Sequence, residues 1–276
     1  MKKVLSIVLL CVFAMSASAQ KKQDVFNHLS AGVTFGTPGW GIDVAAPVCD
    51  YVQFRTGFTS MPGFKFKPTL NVGDIASSDR TTVGDMDGIT YPKEVKVQGK
   101  LKFFNWKFLF DVYPFKSSSF HVTVGAYLGN KDLVEITNLE DGALIGINQA
   151  NAEIDKYNSG QKTGGVVPEK QIKNVGLEIG DHLITPDENG NAQAEIRVNN
   201  FKPYVGLGFG RAVPSKNRFN VQGEFGVMFW GKPKLYSGDI EITQESVNGN
   251  SGKILKTMSK ITVFPVLNLR LTYRIF

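Results

Sequence analysis

The sequence predicts an all-β fold, a transmembrane antiparallel β-barrel of eight strands with long extracellular loops. Three observations carry this expectation. The chain opens with an export leader, alternating apolar segments recur along it, and the last of them ends on a terminal aromatic, Phe276. A strand that crosses lipid needs about 9–11 residues with every second side chain facing hydrocarbon.

In the leader, Lys2 and Lys3 form a positive start, residues 4–15 are an apolar run, and Ala17-Ser18-Ala19 offers small residues to a signal peptidase. Cleavage after Ala19 divides the chain into a signal peptide, residues 1–19, and one barrel domain, residues 20–276. The apolar run is shorter than the roughly 20 residues of a helical span. A lipid anchor on Cys11 is disfavoured because Leu10 is bulky where a small residue is wanted.

The strands follow from period-two alternation. Leu29, Ala31, Val33 and Phe35 mark the first, and Trp40, Ile42, Val44 and Ala46 the second. Val52, Phe54, Thr56 and Phe58 mark the third. Phe104, Trp106, Phe108, Phe110 and Val112 mark the fourth, where the adjacent Phe103 and Phe104 predict a bulge or phase change. Phe120, Val122, Val124, Ala126 and Leu128 form the fifth, and Val205, Leu207 and Phe209 the sixth. Phe219, Val221, Phe225, Val227 and Phe229 form the seventh, and the C-terminal segment from Leu267 the eighth. An even strand number is what a bacterial single-chain barrel requires. The connections 47–51, 114–119 and 211–217 are short, whereas 61–100, 130–200 and 231–260 are long; only the first external loop, 37–39, is short. Short periplasmic turns alternating with long external loops place both termini in the periplasm.

The long loops carry structure of their own. Ala192, Ala194, Ile196 and Val198 alternate, Tyr236, Ile240 and Ile242 extend the seventh strand, and 254–262 leads into the eighth. These segments are expected to project as strands beyond the bilayer, with Asn189-Gly190 as a hairpin tip. Residues 149–157 are expected to form a short helix.

Composition narrows the function classes. The formal excess is +6; subtracting the two leader lysines leaves +4. No Lys/Arg cluster is interleaved with stacking aromatics, so nucleic acid is not an expected partner. The leader removes Cys11, leaving Cys49 alone and no intramolecular disulfide. Asp187-Glu188-Asn189-Gly190-Asn191 is oxygen-rich, but its glycine comes fourth rather than sixth as in a calcium loop, so it reads as a turn. His28, His121 and His182 lie on separate elements without zinc spacing. The glycine-rich 206–210 run opens no helix that could hold a phosphate, and no nucleophile elbow is present. The expectation is therefore no catalytic, cofactor-binding or metal-ligating residues.

Asp43, Arg55, Lys107, Asp111, His121, Glu224 and Arg270 fall on the face opposite the apolar one. Side chains can fill a small eight-stranded barrel, and charges there must be paired, since an uncompensated buried charge costs several kcal/mol. These residues are expected to form a polar network closing the lumen. Turns centred on Cys49, Lys116 and Pro214 would set Asp43 opposite Arg55, Asp111 opposite His121 and Glu224 opposite Tyr204. Trp40, Trp106, Tyr113, Trp230, Tyr236 and Tyr273 sit near strand ends, as interface aromatics do.

The loop alternation and the C-terminal strand resemble small outer-membrane barrels of the outer membrane protein A and W type. The segments 201–214 and 265–276 look like uncharacterised outer-membrane β-barrel proteins of Bacteroidota-type Gram-negative bacteria. The resemblance implies a cell outer membrane location and an assembly signal at Tyr273 and Phe276, although these two are three residues apart where such barrels use two. It also implies outer-membrane lipid, lipopolysaccharide and the barrel-assembly machinery as partners, the ligand of the loops being open. The expected function is a non-enzymatic barrel presenting external loops for surface binding or envelope integrity. The alternatives are a narrow channel or transporter for a small, even apolar, molecule that uses the inward glycines of the sixth strand, and a lipid- or peptide-hydrolysing barrel.

Overall fold

The computed structural model describes residues 26–74, 94–169, 171–172, 174–179, 182–215, 217–242 and 261–276. The leader and residues 254–260 lie outside them. In chain order the strands are β1 (Ser30–Gly36), β2 (Gly39–Cys49), β3 (Val52–Met61), β4 (Lys65–Phe66), β5 (Thr69–Asp74), β6 (Glu94–Leu101), β7 (Phe103–Val112), β8 (Phe120–Gly129) and β9 (Asp132–Asn138). Helix α1 (Ile145–Asn158) follows. Then come β10 (Val175–Ile179), β11 (His182–Ile184), β12 (Gln193–Arg197), β13 (Phe201–Phe209), β14 (Phe219–Phe229), β15 (Lys234–Ser237), β16 (Ile240–Glu241) and β17 (Val263–Arg274).

Eight of these strands close into an antiparallel barrel in the order β1-β17-β14-β13-β8-β7-β3-β2. Alternation explains the wall. Along β7, Trp106, Phe108 and Phe110 are exposed on the outside while Lys107, Leu109 and Asp111 are buried inside. β17 repeats this with Leu267, Leu269 and Leu271 outside and Asn268, Arg270 and Thr272 inside. A continuous apolar exterior around a polar interior reverses the usual soluble pattern and suits a hydrocarbon surround.

The barrel strands pair at different positions than the turn centres predict. Asp43 lies opposite Gly57, and Arg55 opposite Ala45. β2 shifts register between Pro47 and Cys49, and the chain reverses at Asp50-Tyr51, moving the pairing by two residues. Asp111 likewise faces Thr123 rather than His121, and Glu224 faces Gly208 rather than Tyr204. Each displacement is even, so no side chain changes face. No phase change occurs at Phe103 and Phe104, which pair in step with Met61 and Ser60. Phe103 is buried and packs on Phe264, their ring centroids 5.6 Å apart, while Phe104 points outward. Two adjacent aromatics fit a regular strand here because both faces are apolar at that level.

The long connections do not extend the barrel wall as free ribbons. They form a second sheet in the order β11-β10-β5-β6-β9-β12-β15-β16, with β4 added to β6. Helix α1 begins earlier than expected and buries Ile147, Ala150, Asn151 and Ile154, one stripe at i, i+3, i+4 and i+7. Asn151 docks it on β10 by donating to the Val175 carbonyl at 2.9 Å and accepting from its N–H at 2.7 Å. The Asn189-Gly190 turn is not a hairpin tip, because β11 and β12 on either side of it pair with different strands. Asp187 shapes it instead, accepting from the N–H groups of Asn189 (2.9 Å) and Asn191 (2.8 Å). One apolar cluster runs from this sheet (Val95, Val97, Ile136, Leu177, Ile196) into the adjoining end of the barrel (Leu109, Tyr127, Tyr204, Met228, Val266).

Two glycines of β14 test the phase of the wall. A Cβ on the inward Gly226 would collide with the Tyr204 ring and the Val205 carbonyl, whereas one on the outward Gly223 would meet nothing within 4 Å. Gly226→Val is expected to lower the unfolding midpoint of the refolded barrel by the equivalent of about 1–3 kcal/mol, as overpacking does. Gly223→Val is expected to be nearly silent in the same denaturation series.

Candidate functional site

The chemically richest part of the molecule is the lumen. Asp43, Arg55, Lys107, Asp111, His121, Glu224 and Arg270 all lie inside it and are all buried. They form two ion clusters. In the first, Arg55 on β3 donates from Nη2 to Asp111 on β7 at 2.8 Å and to Glu224 on β14. In the second, Asp43 on β2 accepts from Lys107 on β7 at 2.5 Å and from Arg270 on β17, whose Nε lies at 2.6 Å. Three cations therefore face three carboxylates with no charge left over in the two clusters. Asp43 and Arg55 belong to different clusters and share no hydrogen bond, because the two-residue register shift carries them apart.

Polar groups without charge complete the network. Thr123 Oγ1 lies 2.9 Å from both Asp111 and Glu224, its single proton shared between the two carboxylates. Tyr204 donates to Glu224 at 2.8 Å, its ring crossing the glycines at 206 and 226. Thr34 donates to Asp43 at 3.0 Å and accepts from Lys107 at 3.1 Å. Gln222 joins the clusters, donating to Asp111 at 3.3 Å while its carbonyl accepts from Arg270 at 3.4 Å. Every one of the eight barrel strands contributes a member. Tyr204 was expected opposite Glu224 and does bond to it, although diagonally rather than as its direct strand partner. Thr34, Thr123 and Gln222 were legible as inward positions by parity, but as neutral residues they carried no signal of a shared site.

The lumen is closed from both ends. Toward the second sheet, Leu109, Tyr127, Tyr204 and Met228 fill it with apolar surface. At the other end, the β13–β14 connection folds back into the mouth. Gln53 donates to the Val213 carbonyl at 3.3 Å and accepts from its N–H at 2.9 Å. Ser30 donates to the Ala212 carbonyl at 2.7 Å. Tyr113 accepts from the Ala212 N–H at 3.0 Å while Arg211 covers its ring. The inward glycines of β13 do not widen the passage, since Tyr204 lies over Gly206 and the His121 ring over Gly208.

This arrangement limits the chemistry. Ligand atoms of Asp111, His121 and Glu224 lie within 4.8 Å of one another, close enough to hold a metal ion. Arg55 already sits between the two carboxylates, so the position carries its positive charge. His121 Nδ1 lies 3.2 Å from the Ser119 carbonyl and Nε2 2.9 Å from the Gln222 amide nitrogen. This suits an Nδ1–H tautomer whose Nε2 accepts from Gln222, which leaves the ring committed at both nitrogens.

The aromatics predicted for the membrane interface divide. Trp40 and Trp106 are exposed on the outer wall and form a contiguous group with Phe58 and Phe104, with centroid separations of 5.8–6.1 Å. Tyr273 packs on Phe219 at 4.8 Å at the opposite end of the wall, and Phe276 is exposed beyond β17. Tyr113 and Trp230 are not interface residues. Tyr113 is buried under the folded-back turn, and Trp230 is buried on Phe264 and donates from its indole nitrogen to the Ile261 carbonyl at 2.9 Å. Tyr236 lies on β15 of the second sheet, where the Arg197 guanidinium covers its ring. Nearness to a strand end in sequence fails for Trp230 and Tyr236 because the chain runs on into packed structure beyond the wall, and for Tyr113 because the β13–β14 connection folds over it.

Both the ion clusters and the folded-back turn can be probed by substitution. Arg55→Ala strands two buried carboxylates and is expected to destabilise the refolded barrel by about 3–5 kcal/mol. Combining Arg55→Met with Asp111→Asn keeps the two clusters neutral together, Asp43 and Glu224 against Lys107 and Arg270, and should recover part of that loss in the same urea titration. Separately, Gln53→Ala removes both hydrogen bonds holding Val213, so trypsin should cut the Arg211–Ala212 bond of the folded barrel faster than in the wild type.

No protein-family model and no curated protein matches this sequence. Among solved structures, the chain is similar to CarO2 of Acinetobacter baumannii at 18% identity and a TM-score of 0.43, covering 91% of this chain and 99% of that one. It is similar to CarO of the same organism at 14% identity and a TM-score of 0.40, covering 88% and 96%. A major outer membrane protein of Thermus thermophilus matches at 13% identity and a TM-score of 0.28, covering 90% and 97%. The closed register of the eight strands, rather than these likenesses, establishes the barrel.

Proposed function

We propose that this chain is an integral outer-membrane β-barrel protein without enzymatic activity, whose barrel anchors a folded external cap for surface binding or envelope integrity. The observation that carries this reading is the division of labour within the chain. The lumen is filled by two mutually compensating ion clusters, with Lys202 held beyond them by Asn105 at 2.8 Å, and is stoppered at both ends. The long connections meanwhile build a second sheet and a helix that share one apolar core with the barrel end. A scaffold for permeation would use its inward positions to line an open polar path; here they bond to one another.

The export leader and the apolar outer wall support the membrane address. The connections support an orientation: the short turns 47–51, 114–119 and 211–217, together with the chain ends of the paired strands β1 and β17, lie at the barrel end opposite the second sheet. In the proposed topology that end is periplasmic and the second sheet is extracellular.

Protease added to intact cells is expected to cut within 61–100 and 130–200 and to spare 114–119. Cleavage confined to 114–119 would invert the topology. Purified protein in a planar bilayer is expected to be electrically silent. Discrete, reproducible openings would instead support a narrow channel and overturn the anchor reading.

A further inference from the structure

β6 and β7 run as one nearly continuous ribbon from the second sheet down the barrel wall, interrupted only at Lys102. Side chains two apart share a face, so the outward face of the ribbon reads Lys96, Gln98, Lys100, Lys102, Phe104, Trp106, Phe108, Phe110. Cations stand above aromatics, and aromatics above hydrocarbon-facing rings. β4 adds to the upper part, with Lys65 paired directly opposite Lys100. Lys67, two residues on, falls on the same face.

Such an arrangement is unfavourable by itself. Opposite residues in an antiparallel pair have Cβ atoms about 4.5–5.5 Å apart, and like charges there repel. Among the described residues, the carboxylates beside this face are Glu94 at the start of β6 and Glu135, which lies opposite Lys100 and pairs with Lys102 at 2.6 Å. Further on are Glu195 on β12 and Asp132 at the start of β9, both of which pair with Arg197, at 2.6 and 3.0 Å. Among the described residues, Lys65, Lys67, Lys96 and Lys100 have no ion-pair partner, and all four are exposed. An excess of positive charge thus stands immediately above the exterior aromatic group of Trp40, Phe58, Phe104 and Trp106.

We propose that the outward face of β4 and β6 binds the phosphate-bearing headgroup of an anionic lipid in the leaflet on the cap side. Continuity identifies the occupant. The apolar wall below the girdle faces acyl chains, and amphipathic rings mark the headgroup level. Whatever covers the lysines directly above them is the polar part of the same lipids. Charge selects the anionic ones among them, since basic side chains at a membrane surface attract anionic headgroups. The open strand face, with Lys65 and Lys67 about 7 Å apart and Lys96 and Lys100 about 13 Å apart along the chain, matches a layer of headgroups rather than one enclosed soluble anion. This inference rests on the membrane-spanning reading proposed above.

The test uses the full mature chain refolded into nanodiscs of phosphatidylcholine containing a minor share of phosphatidylglycerol, with co-retained lipid read by native mass spectrometry after mild detergent release. Wild type is expected to retain phosphatidylglycerol with an enrichment of about tenfold over its share. The K65Q/K67Q/K96Q/K100Q variant should lose that enrichment, the corresponding Lys→Arg set should keep it, and a K131Q/K156Q/K232Q control should keep it as well. Equal enrichment in wild type and the quadruple Gln variant overturns the inference, as does displacement of the lipid by inorganic phosphate, which would indicate a soluble-anion site. A chain that fails to insert overturns the membrane reading together with this one. Insertion without lipid preference overturns only this one.

Discussion

Charge compensation inside a closed wall is the constraint on which the rest of this structure depends. A barrel of eight strands has too little interior for water to solvate several ions, so each inward charge must find a protein partner. Here Arg55, Lys107 and Arg270 answer Asp43, Asp111 and Glu224, and the bonds cross the lumen as well as linking neighbouring strands. Arg55 ties β3 to β7 and β14, and Asp43 ties β2 to β7 and β17. The network acts as a set of spokes that holds the wall in one register. Inward glycines serve it, because the Tyr204 hydroxyl reaches Glu224 only across positions that lack a Cβ.

Above the charges the interior becomes apolar, and this transition joins the barrel to the cap. Leu109, Tyr127, Tyr204, Met228 and Val266 share one buried cluster with residues of the second sheet. The long connections therefore have a hydrophobic reason to fold onto the barrel instead of fluctuating above it. Burial of α1 and the Asn151 clamp on β10 extend the same core outward. At the opposite mouth the closure is polar and local, with the 212–213 backbone held by Ser30, Gln53 and Tyr113. A filled lumen between two different stoppers leaves the cap and the outer wall as the surfaces available to partners.

The sequence by itself determined the barrel and the face on which each barrel side chain lies. Period-two alternation is a local property, and burial of one face makes a one-residue slip costly throughout a strand. Partners were not determined in this way. A slip of two residues leaves the alternation unchanged, so nothing in the pattern distinguished Asp43 opposite Arg55 from Asp43 opposite Gly57. The register shift at Pro47 and the reversal at Asp50-Tyr51 made that choice. Contacts across the lumen, such as Arg55 with Glu224, join strands that are not neighbours in the sheet, and no counting along a hairpin reaches them. The order of the second sheet and the burial of Tyr113 and Trp230 were likewise decided only in three dimensions, because short strands in long connections take their partners from whichever surfaces the closed barrel brings together.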